Sequence, residues 1–185
     1  AVERRSIIED VTNKRGRSGP LVFVKVRHEL RCSGAAEPAL LEWHDIVYRE
    51  AKQPGAADPP PPPAPPGAAW QREIVPDDVL LFRYSALTFN GHRIHYDRRY
   101  VTEVEGYPGL VVHGPLIATL LLDLLHRHAP GVDVATFRFK AVRPSFDGRP
   151  MRLGGAPLGG GGTVRLWAAD DEGWLTMDAL ATLKA

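Results

Sequence analysis

The side chains best suited to acid–base chemistry are gathered in one segment near the middle of the chain. The candidates there are Asn90, His92, His95, Tyr96, Asp97, His113 and Gly114. A histidine near its ordinary pKa exchanges protons at neutral pH, and a positioned amide can hold a water molecule or a carbonyl group. These residue types therefore predict a proton-transfer site formed by a loop.

The segment after these residues predicts a helix that begins at the same site. Between residues 116 and 125 only Thr119 and Asp123 are polar, so we expect this helix to be buried on all sides. At roughly a dozen residues it is too short to span a bilayer. It begins at the His-Gly-Pro sequence of residues 113–115, where proline suits the first turn. The unpaired backbone N–H groups of that turn favour an oxygen that gains negative charge.

Composition and charge exclude several classes of protein. With 185 residues, 44% of them apolar and 24% charged, the chain can form one sizeable globular core or two small ones. The net charge of +1 gives no indication of a nucleic-acid partner or an anionic membrane surface. A single cysteine, Cys32, excludes an internal disulfide and favours a reducing compartment. Without a recognisable signal peptide or transmembrane run, we expect a cytoplasmic location, or a mitochondrial one in a eukaryote.

The first 51 residues predict a small antiparallel sheet with no helix of its own. Its three strand-like runs are SIIEDV, LVFVKVRHEL and LLEWHDIVYRE. Such a sheet needs another layer on its apolar face, so we expect half a domain to be missing here or supplied elsewhere. Residues 52–69 are rich in Pro, Ala and Gly. They predict an extended, disordered linker, with a ligand for a recognition module as the alternative.

Residues 70–185 predict an α+β unit with one long helix. A strand-like run at 79–88 comes first, and the histidine-containing loop and a short strand at 110–112 follow it. After the helix come four further strand-like runs, VDVATFRFKAV, PMRLGGAPL, GTVRLWAAD and GWLTMDALATLKA. This order predicts an antiparallel sheet curled around a central helix.

The stretch FRYSALTFNGHRIHYD, followed by YPGLVVHGPL, resembles the MaoC-like dehydratase/hydratase family. The resemblance is strongest to its mesaconyl-CoA (3-methylfumaryl-CoA) and itaconyl-CoA hydratase-like members, with 3-hydroxyacyl-thioester dehydratases as a related branch. It is specific over about residues 79–130 and looser over 4–50. It implies a double hotdog fold, in which 1–51 are the closing strands of an incomplete first hotdog and 70–185 form the complete second one. It also implies a homodimer or an internal pseudo-dimer.

The resemblance assigns roles to the loop residues. Many relatives carry an Asp-x-Asn-Pro-x-His loop whose Asp and His act on water as acid and base. The sequence Ile-His-Tyr-Asp at 94–97 matches the end of that motif, which makes His95 the expected catalytic histidine. Asn90 matches the motif's Asn only if a two-residue insertion follows it, and Thr88 stands in place of the Asp. The second acid–base group is therefore open, with Asn90, Tyr96 or Asp97 as candidates to position the water.

The resemblance also predicts the reaction. Gly114 matches the glycine at the helix start whose N–H polarises the thioester carbonyl, and His113 would line the pocket. The implied reaction is the reversible addition of water to the α,β double bond of an enoyl-CoA. This reaction needs no cofactor besides its CoA thioester substrate. We expect Arg93, Arg98 and Arg99 to pair with a substrate carboxylate or with the phosphates of CoA, since guanidinium groups bind both. Tyr84 and Ser85 would line the acyl tunnel or simply pack in the strand.

Three other functions remain open. His92, His95, Asp97 and His113 are residue types that bind zinc, although the spacing in a loop is unspecific and the resemblance requires no metal. A thioesterase is the second alternative, because a fold does not fix its chemistry. The third is a catalytically silent acyl-CoA-binding or scaffold subunit, which Thr88 and the incomplete first sheet both favour.

Overall fold

The computed structural model describes residues 1–16, 19–50 and 60–184, which fall into two compact units, Ala1–Asp58 and Pro59–Ala185. The first unit is an antiparallel sheet of β1 (Val2–Gly16), β2 (Gly19–Cys32) and β3 (Leu40–Arg49), with β2 in the centre. The predicted three-stranded sheet is confirmed. That it closes an incomplete hotdog stays a prediction.

The second unit combines one five-stranded antiparallel sheet with three helices. Its elements are β4 (Trp70–Ile74), α1 (Asp78–Leu87), α2 (Arg98–Glu103), α3 (Gly114–His128), β5 (Val134–Ala141), β6 (Met151–Pro157), β7 (Thr163–Ala169) and β8 (Leu175–Leu183). The strand order is β4-β6-β7-β8-β5, and α3 packs on the sheet against β4, β6, β7 and β8. The four strands predicted after the helix are confirmed, whereas β4 was not predicted.

The predicted strand at 79–88 is wrong, because these residues form α1. Asp77 caps its start, accepting a hydrogen bond from the backbone N–H of Leu80 at 2.7 Å. The buried residues of α1 are Leu81 and Ser85, four positions apart, which is a helical rather than a strand period. The Val and aromatic residues that suggested a strand lie largely on its exposed side. The predicted short strand at 110–112 is reduced to a single bridge between Val111 and Phe146.

The predicted helix is confirmed as α3, but it is not buried on all sides. Its buried residues are Leu116, Ile117, Ala118, Leu121, Leu124 and Leu125, and they contribute to the core above the sheet. On the opposite face Thr119 is exposed, while Leu120 and Leu122 are only half-buried. The sheet covers one face of the helix, so an apolar sequence all round did not produce burial all round.

The chain before β4 is ordered from residue 60 onward. Ala64 N–H donates to the Gly173 carbonyl at 3.0 Å, and Leu175 N–H donates to the Pro62 carbonyl at 2.9 Å. These bonds hold the proline-rich segment beside the start of β8, so the predicted disorder does not extend to it. The earlier part of the predicted linker, up to residue 59, lies outside the described residues. Within the described ranges, no helix has the length and apolar character needed to cross a membrane.

Candidate active site

The loop after α1 is folded by its own polar side chains. Thr88 ends the helix, with Oγ1 donating to the Tyr84 carbonyl at 2.7 Å, and Phe89 then adopts a left-handed backbone with φ of 52°. The Asn90 N–H donates to the Ser85 carbonyl at 2.9 Å, and Asn90 Oδ1 accepts from the His92 N–H at 3.0 Å. These bonds turn the chain into the short 3₁₀ helix at Arg93–His95.

His95 is fixed in one tautomer by a backbone carbonyl. Its side chain is buried, and Nδ1 lies 2.7 Å from the carbonyl oxygen of Val111. A carbonyl only accepts hydrogen bonds, so Nδ1 carries the proton and Nε2 has the lone pair. No described residue donates a hydrogen bond to Nε2. The imidazole is therefore oriented to accept a proton at Nε2 from a bound molecule.

A second buried histidine supports the first. The rings of His113 and His95 stack with centroids 3.8 Å apart and planes 17° apart. His113 is 1% exposed, and its Nε2 lies 2.8 Å from Ser85 Oγ. Tyr84 contacts the His113 ring edge-on at 4.8 Å between centroids. α1 thus anchors His113, which holds one face of the His95 ring.

Burial keeps both imidazoles neutral. Burial lowers the pKa of His95, the nearby His92 lowers it further, and the Val111 carbonyl opposes the shift. Burial, together with His95, lowers the pKa of His113 to about 4. Protonation would place positive charge in a poorly solvated stack of two rings, which is unfavourable. At neutral pH His95 is thus a base ready to accept a proton.

His95 and Gly114 line the same cavity, which has a volume of about 300 Å³. Gly114 is the first residue of α3, so the N–H groups of its turn have no partner within the helix. A Cβ at this position would lie 3.9 Å from Met177 Cε, so the glycine is not required by packing alone. The remaining lining residues are Val111, Val112, Ile117, Ala141, Val142, Arg143, Pro144, Ser145, Thr176 and Met177.

The structure does not bring every predicted site residue to this cavity. Asn90 and Tyr96 line a separate opening of about 270 Å³ together with Phe82, Ser85, Ala86, Phe89 and Gly91. The amide oxygen of Asn90 closes the turn, and the Tyr96 hydroxyl donates to the Gly91 carbonyl at 2.8 Å. His113 lies behind His95 and does not line the cavity. Of the predicted catalytic residues, only His95 and Gly114 share it.

The predicted arginines are engaged in ion pairs at the surface. Arg93 donates from Nε to Asp97 Oδ2 at 3.0 Å and lies over the Tyr100 ring, 4.1 Å from its centroid. Asp97 caps α2 by accepting from the Tyr100 N–H at 3.0 Å. That bond and Arg93 lower the pKa of the Asp97 carboxyl. Arg98 pairs with Asp147, and Arg99 pairs with Glu103. In this structure these residues stabilise the loop, and their part in substrate binding stays a prediction.

Two hydroxyl residues in the cavity, Ser145 and Thr176, were missed by the sequence reasoning. Ser145 lies between the predicted strands VDVATFRFKAV and PMRLGGAPL, and Thr176 lies within a predicted strand, where nothing distinguishes it. Ser85, expected to line the acyl tunnel or to pack in a strand, lies in α1 and bonds His113 instead. In the described ranges there is no group of three or more His, Cys, Asp or Glu residues arranged to hold a metal ion.

Comparison with known proteins identifies the family of this chain. The family model for hydroxyacyl-thioester dehydratase type 2 matches residues 1–147. A mesaconyl-C(4)-CoA hydratase from Chloroflexus aurantiacus is 46% identical over 97% of this chain and 62% of its own length. The mitochondrial hydroxyacyl-thioester dehydratase type 2 from Schizosaccharomyces pombe is 39% identical over 42% of this chain and 27% of its own length. The chain thus spans less than two-thirds of either relative.

The solved structures support the fold. A MaoC-like dehydratase from Phytophthora capsici superposes with a TM-score of 0.68 at 14% identity, over 99% of this chain and 64% of that one. This likeness agrees with the antiparallel sheet packed on α3. The chain has a hotdog fold and belongs to the hydroxyacyl-thioester dehydratase type 2 family of MaoC-like proteins.

Proposed function

We propose that the protein is a hydro-lyase that adds water reversibly to the α,β double bond of an enoyl-CoA. The observation that carries this proposal is the position of a neutral His95, with Nε2 as acceptor, in one cavity with the start of α3 at Gly114. Hydration needs a base for the water and a donor for the thioester oxygen, and these two groups supply them.

The reaction can proceed with one acid–base group. His95 Nε2 takes a proton from water while the water oxygen bonds to C3 of the substrate. The electron pair of the C2–C3 double bond moves towards the thioester, and the Gly114 N–H stabilises the enolate oxygen. The His95 imidazolium then returns the proton to C2, so that one complete water molecule has been added. The reverse sequence removes water from a 3-hydroxyacyl thioester, and no cofactor is required.

For the acyl group we propose a short dicarboxylic chain of the mesaconyl type. The support is the 46% identity to a protein named mesaconyl-C(4)-CoA hydratase. Arg93 and Arg98 lie exposed beside the loop that carries His95, and they are the candidates to attract the CoA phosphates. Simple enoyl-CoA molecules such as crotonyl-CoA are the comparison substrates.

The test is a hydration assay with mesaconyl-C4-CoA, itaconyl-CoA and crotonyl-CoA, following the loss of enoyl absorbance. We expect His95→Ala to lose about 10²–10⁴-fold in kcat, the range for a general acid–base group. The control His126→Ala changes an exposed histidine at the end of α3 and should leave kcat unchanged. Equal rates for His95→Ala and wild type would exclude this mechanism.

A silent acyl-CoA-binding subunit is the second candidate, favoured by Thr88. The family resemblance puts Thr88 at the position of the motif's Asp, and its hydroxyl is bonded to the Tyr84 carbonyl outside the cavity. Such a subunit would bind the three thioesters in calorimetry without turning any of them over. A thioesterase would release free CoA, which a thiol reagent detects in the same assay.

We further propose that the chain acts as a pair of hotdogs, either in a homodimer or within a longer polypeptide. The exposed apolar residues of the first sheet support this proposal, because a sheet of this kind is stable when another layer covers it. Light scattering of the purified chain gives its mass in solution. A purified chain that is monomeric and still hydrates enoyl-CoA would contradict the proposal.

A further inference from the structure

Two buried hydroxyl groups line the cavity beside His95 with no hydrogen-bond partner among the described residues. Ser145 is 5% exposed and Thr176 is 1% exposed, and neither Ser145 Oγ nor Thr176 Oγ1 is bonded to any described group. A buried hydroxyl without a hydrogen bond is unfavourable, so native proteins rarely retain one without a function. Both hydroxyls are therefore placed to bond something that enters the cavity.

The backbone explains why Thr176 reaches this cavity. The register between β7 and β8 passes from Ala168 opposite Met177 to Ala169 opposite Leu175, which leaves Thr176 as an extra residue in a bulge. A bulge interrupts the alternation of a strand and redirects one side chain. The Thr176 carbonyl accepts from the N–H of Val142 at 2.8 Å, which ties the bulge to the end of β5.

Ser145 is held by backbone hydrogen bonds to residues 111–112, the same segment that orients His95. Its carbonyl accepts from the Val112 N–H at 2.9 Å, and the neighbouring carbonyl of Val111 holds His95 Nδ1. The bridge between Val111 and Phe146 adds a further constraint. Ser145 and His95 are thus fixed relative to each other through one stretch of backbone.

The chemistry of the cavity favours a neutral ligand at these hydroxyls. Most other lining residues are apolar. Arg143 also lines the cavity, and its Nη1 forms an ion pair with Asp170 Oδ2 at 3.0 Å that does not have hydrogen-bond geometry. The carboxylate still offsets most of the guanidinium charge. A hydroxyl both donates and accepts hydrogen bonds, as water does, whereas a carboxylate binds best to cationic donors.

We propose that Ser145 and Thr176 together hold the reacting water opposite His95. The two hydroxyls would take the place of the motif's Asp, at whose position the resemblance puts Thr88. This inference rests on the proposed hydration reaction. Serine and threonine hydroxyls stay un-ionised at neutral pH and are too weakly basic to take the proton of the water. They orient the water while its proton passes to His95 Nε2 and its oxygen bonds to C3. In the reverse direction they hold the departing hydroxyl group.

The kinetic test uses Ser145→Ala, Thr176→Val and the double variant, each assayed with crotonyl-CoA and mesaconyl-C4-CoA. We expect each single change to lower kcat about five- to tenfold, the worth of one hydrogen bond, with KM nearly unchanged and the same loss for both substrates. Thr176→Ser keeps the hydroxyl and should retain most of the activity. The control Thr182→Val makes the same substitution in β8 outside the cavity and should behave as wild type.

An unchanged kcat in the double variant would overturn the proposal. So would a rise in KM confined to mesaconyl-C4-CoA, because the two hydroxyls would then bind its carboxylate. A high-resolution crystal structure provides a test that does not depend on turnover. It should show one ordered water bonded to both Ser145 Oγ and Thr176 Oγ1 and facing His95 Nε2. A dry site, or two hydroxyls bonded elsewhere, would contradict the proposal even if the protein hydrates no thioester.

Discussion

The two sheets of this protein are both antiparallel and rich in apolar residues, yet they differ in what covers them. In the first unit Ile8, Trp43 and Tyr48 are exposed, Trp43 by 52%. In the second unit Leu153, Leu166 and Met177 are completely buried beneath α3. The difference shows that strand patterns alone do not create a core. The helix both buries the sheet and brings its N-terminal N–H groups to a cavity, so the candidate site lies in the second unit.

The largest effect should come from shortening a buried side chain of α3, the helix that covers the second sheet. Leu121 is fully buried in α3, whereas Leu41 is exposed in β3. We expect Leu121→Ala to lower the free energy of unfolding by about 2–5 kcal/mol, because it leaves a cavity in a packed core. The matched change Leu41→Ala should cost less than about 1 kcal/mol. Urea unfolding measures both, and equal losses would contradict the contrast between the sheets.

Lowering the pH should destabilise the second unit, because its core contains the buried His113. The pKa of His113 is near 4 in the folded protein and near its ordinary 6.5 when unfolded. As pH falls, the unfolded chain binds a proton at His113 before the folded protein does. The free energy of unfolding is therefore at its full value above pH 6.5 and decreases between about pH 6.5 and 4. The full loss amounts to roughly 3 kcal/mol.

Urea unfolding at pH 7 and pH 4.5 measures this loss. His113→Gln should have a smaller pH dependence of its unfolding free energy than wild type, because it removes the titrating group. The control His44→Gln changes an exposed histidine of the first sheet and should leave the dependence unchanged. A wild-type dependence in His113→Gln would show that the buried stack does not resist protonation.

A smaller loss of stability is expected from a substitution at Gly154, which packs closely against Trp167 in the second sheet. A Cβ at Gly154 would overlap the Trp167 indole, so the indole would have to move. We expect Gly154→Ala to cost about 1–3 kcal/mol, as for an overpacked core. Gly159→Ala adds the same methyl where nothing lies within 4 Å and should change stability by less than about 0.5 kcal/mol. Thermal unfolding compares the two, and a stable Gly154→Ala would mean that the indole has room to shift.

Local motifs singled out His95 and Gly114, which the structure brings to one cavity, while their catalytic roles stay a prediction. The Ile-His-Tyr-Asp sequence and the His-Gly-Pro helix start are each an unbroken run of residues, so each could be recognised directly in the sequence. α1 was mistaken for a strand because Val79, Phe82 and Tyr84 suit both structures, while the capping by Asp77 decided the outcome. Single-residue patterns are ambiguous over ten residues when the cap is overlooked.

The rest of the site depends on contacts between distant parts of the chain. Thr176 enters the cavity through a bulge that arises from the pairing of β7 with β8. His113 is buried against Ser85, which is 28 positions away. Neither feature leaves a local signal in the sequence. Asn90 shows the opposite case, because its motif suggested the cavity while its amide oxygen closes the turn before it.

The central claim is that a neutral, buried His95 is the base in this cavity. The most direct measurement is the pH dependence of kcat/KM for enoyl-CoA hydration by the wild-type protein. Burial lowers the pKa of His95, so we predict a single loss of activity on acidification with its midpoint below 6.5. His95→Ala should have almost no activity at any pH. A midpoint above 6.5, or an active His95→Ala variant with the wild-type profile, would contradict the account.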